Sequence, residues 1–469
     1  MSSQDTSIPS GGKPTVLIIG AGIGGLMLAT LLEKASVPYM IYEKSIEVKL
    51  LGTAIYFASS LTPIFRQIGI YDALFDLGKP CNSIRSFETN RKLSFAVDLK
   101  SSDEMGGAKG FVIPRIVLYD LLLKQVPAEK IQRGKKVLTT HQDENGVIIK
   151  CSDGTSAEGD VLVGADGAYS AVRQRMYERL KKENRLSDSD NEPLPYTCIN
   201  LAAQTDPIDP TILPELNDAD CHFNNLHEKG KSYGWSTFTC KSNIVCWGVT
   251  LQLDEETSKL NDTFRSTEWE PEGAWDMCND VRDFPIPGGD GTLTLGDIID
   301  RTPKARISKV ALEEKVFERW FHERTVLIGD ACHKVHPASG RGAQLAIHDA
   351  IALANWISIL PSNPSIQELE RIFKEYKTER YPDAEDTYNQ GRMYARILQK
   401  GFKADMTRFF AKRIPEWLNK LVLTKVSTMR PQVSFLPRVT DNGTKAPSYQ
   451  RSLEKTLEII KARKPSTSA

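Results

Sequence analysis

The earliest apolar–polar pattern in the chain is an aliphatic, β-branched run, Thr15 to Gly20, which breaks into glycines and resumes with apolar residues at helical spacing. It predicts a buried strand over Thr15–Gly20, a helix over Gly24–Ala35 and a second strand over Val37–Glu43, one βαβ unit. Helical spacing returns around Pro63–Leu77 and over Pro114–Val126, where a proline stands at the helix start. Lys136 to Gly167 reads as a hairpin with turn signals at Asn145-Gly146 and Asp153-Gly154, leading into a buried strand, Asp160–Gly164.

Beyond about Leu186 the texture changes. A polar loop, Ser187 to Tyr196, precedes two segments, Ser232–Cys240 and Asn243–Leu253, that alternate as antiparallel strands with one buried face. The Gly-, Pro- and acid-rich stretch Ser266–Leu293 predicts long surface connections. Helical character is expected near Lys309, then a strand over Arg324–Asp330 and a long helix from about Gly342. After Pro361 the pattern is helical and polar, passes through an irregular stretch, Arg430–Gln450, and ends in a charged helix. No internal repeat is present. The pattern is that of an α/β unit carrying a β-rich insertion and a helical tail.

Composition narrows the classes. The chain has 469 residues, 40% hydrophobic and 26% charged, enough for two or three packed units. Sixty basic residues balance sixty acidic ones, so no global field favours nucleic acid or an anionic membrane. No segment interleaves Lys or Arg with aromatics as a nucleic-acid groove does. The eight cysteines include no C-x-x-C, which argues against a zinc cage or disulfide framework and fits a reducing compartment. The polar N-terminus lacks the order of a signal peptide, and the longest apolar run, Val16–Leu32, is interrupted by glycines rather than spanning a membrane. The C-terminal residues are no peroxisomal address, so the expected location is cytoplasmic.

Three motifs carry the chemistry. In the first, Gly20, Gly22 and Gly25 form a GxGxxG between strand and helix. Gly20 suits a tight turn, Gly22 lets backbone approach a pyrophosphate, and Gly25 lets helix pack on strand, with the helix amides aimed at phosphate. Glu43, 23 positions after Gly20, can accept both hydroxyls of an adenosine ribose and would repel a 2′-phosphate, which disfavours NADP there. NAD and FAD remain open on this motif alone. The second motif is Asp166-Gly167 after a buried strand, with Ser170 and Arg173 at a helix start; alone it reads equally well as a helix cap. In the third, a hydrophobic strand delivers Gly329-Asp330, and Pro337, Gly340 and Gly342 shape a loop entering a helix. Its N-terminus, at Gly342 and Ala343, offers free amides and positive potential to an electron-rich ring.

The ordered set GxGxxG, Asp166-Gly167 and Gly329-Asp330 resembles the class A, single-component FAD-dependent monooxygenases, the aromatic-hydroxylase family. It covers most of Thr15 to Ile357. The "RPQVSFLP" segment and the overall layout are most similar to fungal natural-product monooxygenases.

The resemblance implies an α/β fold with a Rossmann-like FAD-binding domain over residues 1–75, 105–185 and 305–360. An inserted mixed or antiparallel β-sheet domain for substrate would span 76–104 and 186–304, and C-terminal helices 361–469. It implies that Glu43 holds the adenosine ribose and that Gly20, Gly22 and Gly25 hold the pyrophosphate. Arg115 would lie near the flavin chain, and Asp330, after Gly329, at the ribityl and pyrophosphate region. Gly342 and Ala343 would face the pyrimidine edge, Gly52–Tyr56 would run along the flavin, and Asp166 and Gly167 would serve FAD and the nicotinamide reductant. The activity implied is hydroxylation or epoxidation of a hydrophobic or aromatic small molecule, using NADPH or NADH and dioxygen through a flavin hydroperoxide, in secondary metabolism.

The pattern departs from the family at one loop. Where the family has G-Q-G-x-N, this chain has Gly340-Arg341-Gly342-Ala343-Gln344, leaving open whether Arg341 sits beside the flavin or in solvent. The W-x-W-x-I-P halogenase signature is absent. His333 and His336 form an H-x-x-H without an evident third ligand cluster, so no metal is expected. Cys332 reads as a small buried residue rather than a nucleophile. Tyr233, at the edge of the inserted sheet, is the one candidate for proton exchange with a substrate hydroxyl, against a packing role. A flavin oxidase or dehydrogenase on the same scaffold, and a non-catalytic flavin-binding sensor, are the rival readings.

Overall fold

The computed structural model describes residues 12–47, 51–192, 196–227, 232–253, 271–398 and 416–463. Its centre is a six-stranded sheet in the order Phe321–His322, Thr325–Leu327, Val161–Gly164, Val16–Ile19, Tyr39–Glu43, Ile131–Arg133. All of its pairings are parallel except that between the first two strands. The strands Val16–Ile19 and Val161–Gly164 are buried throughout, as expected of a parallel sheet covered on both faces. The helix Ile23–Lys34 packs between this sheet and the helix Gly342–Ser358, and it is apolar nearly all round because both sides are covered.

The second layer is a seven-stranded sheet: Ser308–Glu313, Tyr196–Gln204, Val245–Gln252, Tyr233–Thr239, Phe223–His227, Ser83–Phe87, Leu93–Asp98. Every neighbour is antiparallel except Phe223–His227 with Ser83–Phe87. On its outer face Leu201, Trp235, Trp247 and Val249 form a separate core with Met277, Val281 and Ile298. The fold is thus a mixed α/β architecture with a Rossmann-like unit and a largely antiparallel second sheet.

Two expectations are corrected. The stretch from Ser266 includes a helix, Pro271–Asp280, whose Ala274, Met277 and Cys278 cover the outer face of the second sheet. The apolar residues at that spacing outweigh the turn signals around them, while residues 266–270 lie outside the described ones. Near Lys309 the chain forms the strand Ser308–Glu313, not a helix, because pairing with Tyr196–Gln204 overrides the local helix formers. Ser308–Glu313 is thus an edge strand of the second sheet.

Candidate functional site

The three motifs end three neighbouring parallel strands, Val16–Ile19, Val161–Gly164 and Thr325–Leu327, and so meet along one edge of the central sheet. At the first, Gly20 has φ +104°, and a Cβ there would lie 2.5 Å from the Ala165 carbonyl oxygen. A Cβ on Gly25 would lie 2.1 Å from the Gly20 oxygen. Gly22, which precedes the helix, faces open space instead: a Cβ there meets nothing within 4 Å. Two glycines serve the protein's own packing, and the third leaves room beside a helix N-terminus with no side-chain cap and no acid in its first turn. Glu43 closes the adjacent strand, its carboxylate accepting from the N–H groups of Ala21 and Ser45, both at 2.8 Å.

In the second motif Gly167 takes φ +79° and Ser170 caps the helix Ala171–Lys182, accepting from Arg173 N at 2.9 Å. Asp166 Oδ2 accepts from Val172 N at 3.2 Å, so the cap reading holds for one oxygen. Its Oδ1 is buried without a partner among the described residues, and burial pushes the carboxyl upward in pKa. Such an orphaned acceptor costs about 1–3 kcal/mol unless a donor reaches it. Arg173 ties this motif to the third by donating to Ala331 O at 2.8 Å and Ala168 O at 2.6 Å.

In the third motif Gly329 turns at φ +60° and sets Asp330 on an exposed corner. Asp330 acts on the charge of Arg115, so cation and carboxylate share one region. Arg115 also donates to Leu51 O at 3.1 Å while keeping an exposed surface. The half-exposed Gly342 and Ala343 open the helix Gly342–Ser358, again with no side-chain cap and no acid in the first turn. The open space at Gly22, the orphaned Asp166 oxygen and two uncapped helix N-termini fit a dinucleotide carrying a pyrophosphate and a polar ring edge.

Two of the candidate residues are not brought to this cleft. Tyr56 turns towards the second sheet, among Cys81, Val112 and Phe238, where its buried hydroxyl has no partner among the described residues. Tyr233 lies on the outer face of that sheet in edge contact with Phe284, ring centroids 5.4 Å apart, beside Trp235. Strand alternation puts it on the face opposite the one that contacts His336 through Gln252.

The inner face is polar at its centre. Asn200, Asn225, Ser236, Gly248 and Thr250 keep partial exposure although the face is closed at both ends, by Phe238 and Cys246 and by the contact of Gln252 with His336. The loop that runs into Gly342 meets this face where His336 contacts Gln252. Ser236 donates to Asn225 Oδ1 at 2.6 Å and Thr250 to Asn200 Oδ1 at 2.9 Å, orienting both amides.

The histidine pair does not converge. His333 Nε2 binds Asp349, whereas His336 Nε2 donates to Gln252 Oε1 at 3.1 Å and its Nδ1 accepts from Ala338 N at 3.1 Å. Cys332, His333 and Asp349 bring their ligand atoms within 4.8 Å of one another. The Asp349 carboxylate, however, is already taken by His333, by Gly329 N at 2.9 Å and by Arg380 Nε at 2.9 Å. Cys332 is fully buried, and burial holds its thiol well above the usual range. Asp349 escaped the sequence reading; the signal was the one carboxylate of a largely apolar helix, between Ile347 and Ile351.

Burial pushes His336 down to about 4, so it is neutral at working pH. Unfolded histidine binds its proton near 6.5, so between pH 6.5 and 4 the unfolded state holds more protons and stability falls as pH falls. The full loss is about 3 kcal/mol. Urea midpoints at pH 7 and pH 5 should differ less in His336→Gln than in wild type; an equal difference removes His336 from the acid limb.

Comparison with known proteins agrees with this geometry. The model of the family described as FAD binding domain matches residues 13–206 and 295–390. FAD-dependent monooxygenase ausM of Penicillium brasilianum is 27% identical over 398 residues, covering 82% of this chain and 79% of the relative. FAD-dependent monooxygenase paxM of Penicillium paxilli is 28% identical over 396 residues, covering 81% and 78%. The solved Klebsiella pneumoniae HpxO, complexed with FAD and uric acid, is similar in fold with a TM-score of 0.69 at 19% identity, over 91% of this chain and 98% of that one. The chain belongs to the FAD binding domain family, and its kinship there is with the class A flavin monooxygenases.

Proposed function

We propose that this FAD-dependent monooxygenase uses NADPH or NADH and dioxygen to hydroxylate or epoxidise a hydrophobic or aromatic small molecule held against the inner face of the second sheet. The observation that carries the reading is the meeting of the three motifs at the ends of three neighbouring parallel strands. When bound, FAD supplies the means of passing two electrons from a nicotinamide to dioxygen.

The chain's own residues do the rest. Glu43 receives the ribose of the adenosine half, and the amides after Gly22 receive the pyrophosphate. Asp330 and Arg115 hold the ribityl–pyrophosphate region through charge-assisted hydrogen bonds, and Asp166 Oδ1 takes a donor from the same group or from the reductant. The amides at Gly342 and Ala343 lend positive potential to the pyrimidine edge, where reduced flavin carries negative charge. The second sheet keeps water from the reacting oxygen and turns the oriented amides of Asn200 and Asn225 to the substrate.

The test is turnover under isotopically labelled dioxygen with a panel of hydrophobic and aromatic compounds. One labelled atom in the product is the expected result. Label found only in hydrogen peroxide, with compounds that speed flavin reduction, would give the oxidase reading instead.

A further inference from the structure

We propose that Asp383 is an electrostatic counterweight to Arg341, and that the buried ion network behind the helix Gly342–Ser358 sets the reduction potential of the bound flavin. The inference rests on the reading that this helix's N-terminus faces the flavin ring.

Arg341 is the residue just before that helix, where the family pattern has an uncharged glutamine. Its guanidinium enters neither solvent nor cleft. It donates from Nη1 to Thr387 Oγ1 at 2.8 Å and from Nη2 to Asp383 Oδ1 at 3.0 Å, both on the long helix Ile366–Leu398. Asp383 also receives Arg380 Nη2 at 3.0 Å and faces His348 Nδ1 at 3.8 Å. Arg380 in turn donates from Nε to Asp349, which holds the Gly329 amide beside Asp330. The four ionic side chains are at most 12% exposed. Burial would raise the Asp383 carboxyl, but His348, Arg380 and Arg341 together hold it far below the usual range. Burial lowers His348, with the hydrogen bond to Asp383 opposing it.

The network therefore pairs two arginines with two aspartates at the back of a helix whose front carries the reaction. Solvent does not screen charges so placed. A hydride from the nicotinamide brings two electrons and one proton to an uncharged oxidised ring and leaves the reduced ring with one negative charge. Any imbalance in the network therefore acts on the reduced form far more than on the oxidised one. With Asp383 present, Arg341 adds no net charge, and the ring meets only the helix N-terminus. Removing the aspartate charge exposes a positive excess; removing the arginine charge exposes a negative one.

The experiment equilibrates the flavin of each holoenzyme anaerobically with a reference dye. Asp383→Asn should shift the reduced-to-oxidised ratio about tenfold towards reduced flavin, equal to about 30 mV for a two-electron couple. Arg341→Gln should shift it by a similar factor in the opposite direction, Arg341→Lys should not shift it, and the Asp383→Asn/Arg341→Gln double variant should return to the wild-type ratio. A purely structural role would not reverse sign or cancel. If Asp383→Asn fails to fold, the Gln and Lys variants at Arg341 carry the test. Shifts of one sign, or none, overturn the inference. Ala343→Asp serves as a control of position by placing an anion in the first turn. If it changes neither flavin content nor potential, the helix does not face the ring and the functional reading fails. If it acts while the Arg341 and Asp383 variants do not, only this inference falls.

Discussion

Gly22→Val should fold normally and purify nearly colourless, whereas Gly25→Val should lose the turn itself. The two glycines lie three positions apart, yet their surroundings are opposite. Gly22 has ordinary extended backbone, φ −75° and ψ −177°, and a Cβ there meets nothing within 4 Å. A valine at Gly22 therefore disturbs no protein atom but fills the approach that a pyrophosphate needs, and FAD affinity should fall at least about a hundredfold, or ~2.7 kcal/mol. At Gly25 the added carbon would lie 2.1 Å from the Gly20 carbonyl oxygen. That neighbour is backbone in a turn already at φ +104° and cannot move aside. Visible absorbance reports the cofactor and urea unfolding reports the fold. Full yellow absorbance in Gly22→Val, or a wild-type unfolding midpoint in Gly25→Val, contradicts the assignment of roles.

Asp349→Ala should destabilise the protein by about 3–5 kcal/mol, the cost of leaving a buried cation without its partner. Asp349 is fully buried and accepts from Gly329 N–H, His333 and Arg380. Truncation strands the Arg380 charge and frees the turn that carries Asp330. Burial would raise the Asp349 carboxyl, yet His333 and Arg380 hold it below the usual range, so its contribution is present above the unfolded carboxylate pKa and is lost as pH falls through the folded one. Urea unfolding at pH 7 measures the effect. A change under 1 kcal/mol would show that the turn is held by other contacts.

The glycine turn was legible because each element of it is local: strand, turn residues and helix lie within Thr15–Glu43. The second and third motifs were legible as an ordered set, since a buried strand ending in an acid is visible in one dimension. What escaped depends on contacts far apart in sequence. The sequence leaves Arg341 open between flavin and solvent, because its partner, Asp383, lies 42 positions away on a helix the motif does not reach. The sequence places Tyr233 at the edge of the inserted sheet, but which face it takes follows from the neighbours its strand pairs with. The helix Pro271–Asp280 was hidden by the glycines and prolines around it, and only the sheet beneath explains its apolar side. The strand near Lys309 is set by its partner, not by its own propensities.

The register of the central sheet has a consequence for how the protein comes to hold its cofactor. Val16 pairs with Val161, and Leu162 pairs with Thr325, so neighbouring strands are separated by well over a hundred residues of chain. On the ribosome, the N-terminal βαβ unit is complete long before its neighbours emerge, but the cleft is not. The orphaned oxygen of Asp166, the corner at Asp330 and the amides at Gly342 arrive in turn, and the last only after some three-quarters of the chain is made. Cofactor capture is therefore a late event, waiting on slow, long-range strand pairing. Until Val161–Gly164 emerges, the strand Val16–Ile19 is paired only with Tyr39–Glu43 and presents one open edge, a site for wrong pairing that FAD is not yet there to prevent.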